Sequence, residues 1–158
     1  MAMMVKLREL LETNHVAYEL HGHRRAFTAT GVAAADGVPQ SEVAKVVILR
    51  SARHYLMTVI PASRRLDLER VRGVTDEPDL EMASEAELAE LFPDCETGAM
   101  PPFGNRFGMP VWVDDALGRE TETVFNAGNH HETIHMAYAD FVRLVHPSFG
   151  ALGRPLHE

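Results

Sequence analysis

The sequence predicts a single α+β or mixed α/β domain, built on a curved mixed β-sheet flanked by helices. Three observations predict it. About seven short β-branched or aromatic runs are interleaved with four stretches of helical periodicity, in no regular βαβ alternation. The 158 residues suffice to bury one sizeable core, and 46% apolar with 24% charged residues is ordinary for a globular protein. A Gly/Pro-rich segment at 96–115, ETGAMPPFGNRFGMPVWVDD, interrupts these elements with a non-helical loop and feeds directly into a strand.

In chain order, Met4, Leu7, Leu10 and Leu11 fall at helical spacing and predict an amphipathic helix over 3–14. Residues 16–20 read as a strand, followed by His21 and His23 in an H-x-H pattern. On a strand these imidazoles share a face, where they either join a third metal ligand or line a solvent-facing edge. The small apolar run 28–35 predicts a short helix capped by Thr28 or Thr30 and stopped by Gly37 and Pro39. AKVVIL at 44–49 predicts a buried strand with Lys45 at its start. Two readings fit that lysine: it snorkels from a strand end, or it stands in a cleft for a negative group. Residues 54–60 form the hairpin partner, closed by Pro61, and Leu66, Leu68 and Val71 mark a short helix.

After a brief strand at 80–83, Ser84 and Glu87 match a capping box, with Leu88, Leu91 and Phe92 as the inner stripe of its helix. Further strands are predicted at 111–113, 121–126 and 133–137. The last helix spans 138–145, turns Phe141, Val142 and Leu144 or Val145 inward, and ends at Pro147. Residues 1–147 thus read as the domain and 148–158 as a frayed C-terminal tail.

The central segment is expected to be a stiff, non-helical loop, because its glycines lack Cβ and its prolines fix φ. It is either a structural turn or a concavity in which the N–H groups of Gly98, Ala99 and Met100 point together and hold an oxyanion or a phosphate.

A formal charge of −8 argues against coating nucleic acid through a broad basic surface, so DNA is not an expected partner. Basic residues nevertheless concentrate over 45–72 and acidic ones over 76–96, which suits a small local contact with a polyanion or two solvated faces. No apolar run approaches the roughly 18 residues of a membrane span, and MAMMVKLREL lacks a secretory h-region. A soluble, cytoplasmic protein without a membrane partner is therefore expected, and the single Cys95 leaves no disulfide framework.

His131, Glu132 and His135 spell H-E-x-x-H, the zinc-hydrolase pattern. It works on a helix, where i and i+4 are neighbours, whereas on a strand they stand roughly 13 Å apart. The turn formers Ala127, Gly128 and Asn129 and the β-branched Thr133 and Ile134 place it on a strand, so no metal is expected there.

Taken together, AKVVIL around Lys45, VIPASRRLDLERV from Val59, TGAMPPFG from Thr97, PVWVDD, and FNAGNHHETIHMAYADFVRLV resemble the YbaK/ProX family of aminoacyl-tRNA editing domains, relatives of the prolyl-tRNA synthetase insertion domain. The resemblance runs over roughly 7–145. It implies a YbaK/ProX-like fold and trans hydrolysis of the ester linking a wrong small amino acid, such as Ala, Cys or Ser, to the 3′ acceptor end of a tRNA, the proline tRNA first. It further implies no cofactor, and prolyl-tRNA synthetase as a candidate partner. By the same resemblance Lys45 is the functional lysine, and the N–H groups of Gly98, Ala99 and Met100 receive the oxyanion. Pro102, Phe103, Gly128, His130 and Tyr18 are expected around the substrate. Val46 stands where alanine-specific relatives carry a polar residue. The alternatives are a non-catalytic module that binds tRNA ends or a synthetase, and a zinc hydrolase through His131, Glu132 and His135.

Overall fold

In the computed structural model, which describes residues 2–156, the AKVVIL run forms the second strand of a five-stranded mixed sheet, next to its central strand. The chain opens with α1 (Ala2–Thr13), β1 (Tyr18–Gly22) and α2 (Ala29–Asp36), then the hairpin of β2 (Ala44–Arg50) and β3 (Tyr55–Pro61). β4 (Arg64–Leu66), α3 (Leu68–Thr75), β5 (Glu81–Met82) and α4 (Glu85–Leu91) precede the central loop, which leads to β6 (Val111–Asp114). The last part comprises β7 (Glu122–Asn126), β8 (Glu132–Ala137), α5 (Tyr138–Val145), β9 (Ser148–Gly150) and β10 (Gly153–Pro155).

The main sheet runs β5-β2-β3-β6-β9, antiparallel from β5 to β3 and parallel from β3 to β9. A second, antiparallel sheet runs β1-β8-β7, and β10 pairs with β4. A parallel bridge between Val43 and Val124 joins the two larger sheets. β3 is buried from Leu56 to Pro61, as an interior strand covered on both faces must be.

Period-two alternation divides the core. Met57 and Val59 face the main cluster with Leu7, Leu11, Phe103, Val113, Phe125, Ile134 and Phe141. Leu56 and Ile60 face the opposite way, into a cluster with Leu49, Val71, Leu80 and Leu152. Each fully buried Leu or Phe contributes roughly 1.5–3 kcal/mol, so the two faces together hold the hairpin rigidly. A third, smaller cluster of Val32, Ala33, Val43, Ala62 and Val124 seats α2 on the bridge between the sheets.

Local signals match most elements. Thr28, not Thr30, caps α2 by accepting from the Gly31 N–H at 3.1 Å, and Gly37 closes it. Ser84 and Glu87 form the reciprocal capping box of α4. Phe141 and Val145 are buried on α5, with Val142 and Leu144 partly so. Leu7 and Leu11 form the inner stripe of α1, while the expected inward position of the Met4 side chain lies outside the described residues. The central loop holds a single 3-10 turn, Gly104–Phe107, and is otherwise irregular.

The frayed tail is corrected. β9 pairs in parallel with β6, β10 pairs with β4, and Leu152 is fully buried; only residues 157–158 of that expectation lie outside the described residues. Three-residue strands carry no periodicity of their own, and their pairing comes from the sheet edge they meet. The charge asymmetry also resolves: Arg50 of the basic run pairs with Glu81 and Glu87 of the acidic one, and His54 bonds Glu77.

Leu152→Ala is expected to cost about 2–5 kcal/mol in urea-induced unfolding, as a cavity left in a closed cluster does. A cost below about 1 kcal/mol, the range of an exposed site, would contradict a docked C-terminus.

Candidate functional site

Lys45, Val47 and Leu49 share one face of β2, and Lys45 pairs in register with Ile60. The lysine is half-buried, and its Nζ donates to the Arg64 carbonyl at 3.1 Å. Burial is what pushes its pKa below the usual lysine value, and no neighbouring carboxylate offsets it. An ammonium held this way retains donor capacity for an incoming anion.

A cavity of about 380 Å³ lies along residues 43–47, with Ala44 and Val46 of the other face in its lining beside Lys45 and Val47. Its walls include Val43, Val47, Ala62 and Met100, with Lys45, Gly98, Thr30 and Asn126 as polar features. Phe27 and Thr28, just before α2, also border it. The strand-end lysine and the Gly/Pro loop thus meet at one hollow, although they are far apart in sequence. Among the described residues the Asn126 Oδ1 is buried and lacks a hydrogen-bond partner.

The loop is tied to the turn after β7. The Glu96 N–H donates to the Gly128 carbonyl at 2.8 Å, and the Glu96 carboxylate accepts from the His130 N–H at 2.9 Å. Arg25 closes the network with an ion pair to Glu96 at 3.0 Å. The His130 N–H holds the Glu96 carboxyl below its ordinary pKa against the opposing effect of burial, and Arg25 adds to the lowering. His130 Nε2 donates to the Thr97 carbonyl at 3.0 Å, which fixes the proton on Nε2 and leaves Nδ1 a buried acceptor without a partner among the described residues. Its ring also lies against Phe27, with centroids 4.8 Å apart. Gly98 and Gly128 have φ of 89° and 97°, values at which a side chain is strained, so both turns of this brace require glycine.

The structure distributes the expected site residues unevenly. Lys45, Gly98 and Met100 border the cavity. The Ala99 N–H does not point into it: it donates to the Glu96 carbonyl at 3.0 Å in a tight turn, so the expected row of three N–H groups is interrupted. Among the described residues, nothing accepts from the N–H of Gly98 or Met100. Pro102 and Phe103 are buried behind the loop, and Phe103 borders a second hollow of about 580 Å³ between α1 and residues 93–107. Tyr18 is not among the residues lining the cavity: its hydroxyl donates to Glu12 at 3.3 Å and its ring packs on the main core. Gly128 and His130 stand behind the loop and support it, and His130 is only 6% exposed. The H-E-x-x-H residues lie at and along β8, with His131 exposed, and they do not converge.

Residues missed from sequence are Asn126, Glu96, Phe27, Thr28 and Thr30. Asn126 had a signal, a polar residue between Phe125 and Ala127 in a buried strand. Glu96 had none, since its partner lies 34 positions away.

Known proteins resemble this chain in sequence and in fold. A family model for the aminoacyl-tRNA editing domain matches residues 23–144. The multifunctional Ser/Thr-tRNA deacylase ProXp-y of Escherichia coli K12 is 24% identical over 147 residues, 90% of this chain and 87% of that protein. Among solved structures, a candidate trans-editing enzyme for prolyl tRNA synthetase superposes with a TM-score of 0.83 at 20% identity, over 96% of this chain and 97% of its own. A hypothetical protein, APE2540, gives 0.84 at 20% identity over 94% and 99%. No described helix is long and apolar enough to cross a membrane. The chain belongs to the aminoacyl-tRNA editing domain family, and aminoacyl-tRNA deacylation is its class of activity.

Proposed function

We propose that this chain acts in trans on the 3′ acceptor end of mischarged tRNA and hydrolyses the ester of a small amino acid. The candidates are alanine, serine and cysteine on the proline tRNA, the errors of prolyl-tRNA synthetase, together with threonine, which the E. coli relative is named for along with serine. The observation that carries this reading is that Lys45 and Gly98 border one cavity.

In this mechanism water attacks the ester carbonyl, whose oxygen gains negative charge as the tetrahedral intermediate forms. The Gly98 N–H and the Lys45 ammonium offer donors to that charge, a contact stronger in the transition state than in the ground state. The bond to the ribose 3′ oxygen then breaks, and that oxygen leaves as a hydroxyl with a proton from the attacking water. None of the residues lining the cavity is an aspartate, glutamate or histidine, so the adjacent ribose hydroxyl relays the proton. Burial pushes the Cys95 thiol up to about 12, so a thiolate nucleophile does not compete at neutral pH. The apolar walls restrict the amino acid to a small side chain, Thr28 and Thr30 favour a hydroxyl on it, and the Asn126 Oδ1 accepts from its α-ammonium. Glu96, Gly128 and His130 are positioning residues that keep Gly98 across from Lys45.

The same lack of a carboxylate or imidazole in the lining favours, as second reading, a module that binds tRNA ends without turnover. A panel of Ala-, Ser-, Thr- and Cys-charged proline tRNAs separates the two. Turnover on at least one, reduced about 100-fold or more in Lys45→Ala, is expected for loss of an oxyanion-stabilising contact. Binding without turnover on every member would favour the module.

Glu96→Gln is expected to lower stability through loss of the carboxylate brace. Since the folded-state pKa of Glu96 is lowered, the wild-type advantage is complete above the ordinary carboxylate value of 4.5 and fades as the pH falls through the folded value. Thermal unfolding of both proteins between pH 3 and 7 checks this; a difference that is the same at all pH values would contradict it.

A further inference from the structure

Two histidine motifs in the sequence are not used by the editing site, and each contributes one member to a cluster elsewhere. β1 and β8 pair antiparallel with His21 opposite Thr133, so His135, two residues on, shares the face of His21. The two rings stack with centroids 3.7 Å apart. Asp36, the last residue of α2, points between them with a side chain only 3% exposed. Its Oδ2 accepts from the Thr133 hydroxyl at 2.7 Å and lies 2.6 Å from His135 Nε2, and its Oδ1 is 3.4 Å from His21 Nδ1. The other nitrogen of His21, Nε2, is 2.8 Å from Glu19 Oε1.

This arrangement is short of positive charge. A neutral imidazole donates from one nitrogen only, yet His21 has a carboxylate oxygen at each. With the proton on Nε2 toward Glu19, the Nδ1 lone pair and Asp36 Oδ1 are two acceptors facing each other at 3.4 Å, a place that takes either a second proton or a metal ion. Among the described residues no lysine or arginine pairs with the buried Asp36, and Glu42 adds negative charge within electrostatic reach of His135. One ligand atom from each of His21, Asp36 and His135 can be chosen so that all lie within 4.8 Å of one another.

We propose that His21 Nδ1, His135 Nε2 and the Asp36 carboxylate bind one divalent transition-metal ion of borderline softness, such as zinc, with water completing the coordination. Ligands at about 2.0–2.2 Å in a tetrahedron are about 3.3 Å apart. The His21–Asp36 separation already matches, and the His135–Asp36 contact has to open by under about 1 Å. Glu19 then fixes the His21 tautomer and Thr133 orients Asp36, the outer-shell contacts that such ligands require. Two imidazoles and one carboxylate suit zinc, copper or nickel and not magnesium or calcium. The ion clamps the C-terminal end of α2 to the β1–β8 pair, about 12 Å along the helix from the Thr28–Thr30 end that borders the editing cavity. The site is structural and independent of the deacylase reading.

The experiment uses the full chain, stripped with EDTA and dialysed, then titrated with zinc chloride by calorimetry and followed by thermal unfolding. One equivalent per chain with micromolar or tighter affinity is expected, together with a rise in Tm of about 5 °C or more at saturating zinc. His21→Ala and Asp36→Asn lose both effects, and His23→Ala, outside the cluster, keeps them. Cobalt(II) gives the d–d absorption of a tetrahedral site in the wild type and not in His21→Ala. Should Asp36→Asn fail to fold, His21→Ala, whose side chain is 37% exposed, gives the same comparison. Equal zinc binding in wild type and His21→Ala would overturn the proposal. So would a His21 that stays doubly protonated in NMR spectra at saturating zinc, because a proton would then be the cation between Nδ1 and Asp36.

Discussion

A half-buried ammonium whose partner is a backbone carbonyl is the constraint on which the rest of this molecule depends. Lys45 is followed on its strand by the apolar run 46–49, and among the described residues its ammonium bonds the Arg64 carbonyl. Burying a charge without a carboxylate is costly, and the hairpin tolerates it because one side of the lysine opens on the cavity. Two apolar clusters on opposite faces of β3 fix the backbone of the strand pair from which the lysine extends.

The second half of the site is a matter of bracing. Gly98 has the backbone conformation a tight turn needs, but a loop rich in glycine would not by itself stay opposite Lys45. Three contacts from the Gly128–His130 turn hold it there: the Glu96 N–H to Gly128, the His130 N–H to the Glu96 carboxylate, and His130 Nε2 to the Thr97 carbonyl. His130 therefore braces the loop. The hydrolytic reading gains from this rigidity, since preorganised donors stabilise a developing charge without reorganising during the reaction.

How much was legible in the sequence depended on whether the signal was local. The capping box of α4, the strand run of β2 and the inward face of α5 announce themselves through spacing, and the structure follows them, although residues 45–47 of β2 are only half-buried where they border the cavity. The pairing of Lys45 with Gly98 at one hollow was legible only through the order of several weak motifs. The docking of β9 and β10, the Glu96 bond to His130 and the meeting of His21 with Asp36 and His135 were not, because each joins residues far apart in sequence. The Ala99 N–H illustrates the same limit within a motif: Gly-Ala-Met reads as a row of donors, but a turn back to Glu96 takes the middle one.

The central claim is that substrate binds between Lys45 and Gly98 and not in the larger hollow beside α1. The most direct measurement is NMR titration of the full chain with a non-hydrolysable seryl-adenosine analogue, in which an amide replaces the ester. The account predicts that the Gly98 and Met100 amides, the Asn126 side chain and the Lys45 ammonium shift together and saturably. Shifts confined to Leu7, Leu10, Phe107 and their neighbours, with Gly98 and Lys45 unmoved, would contradict it.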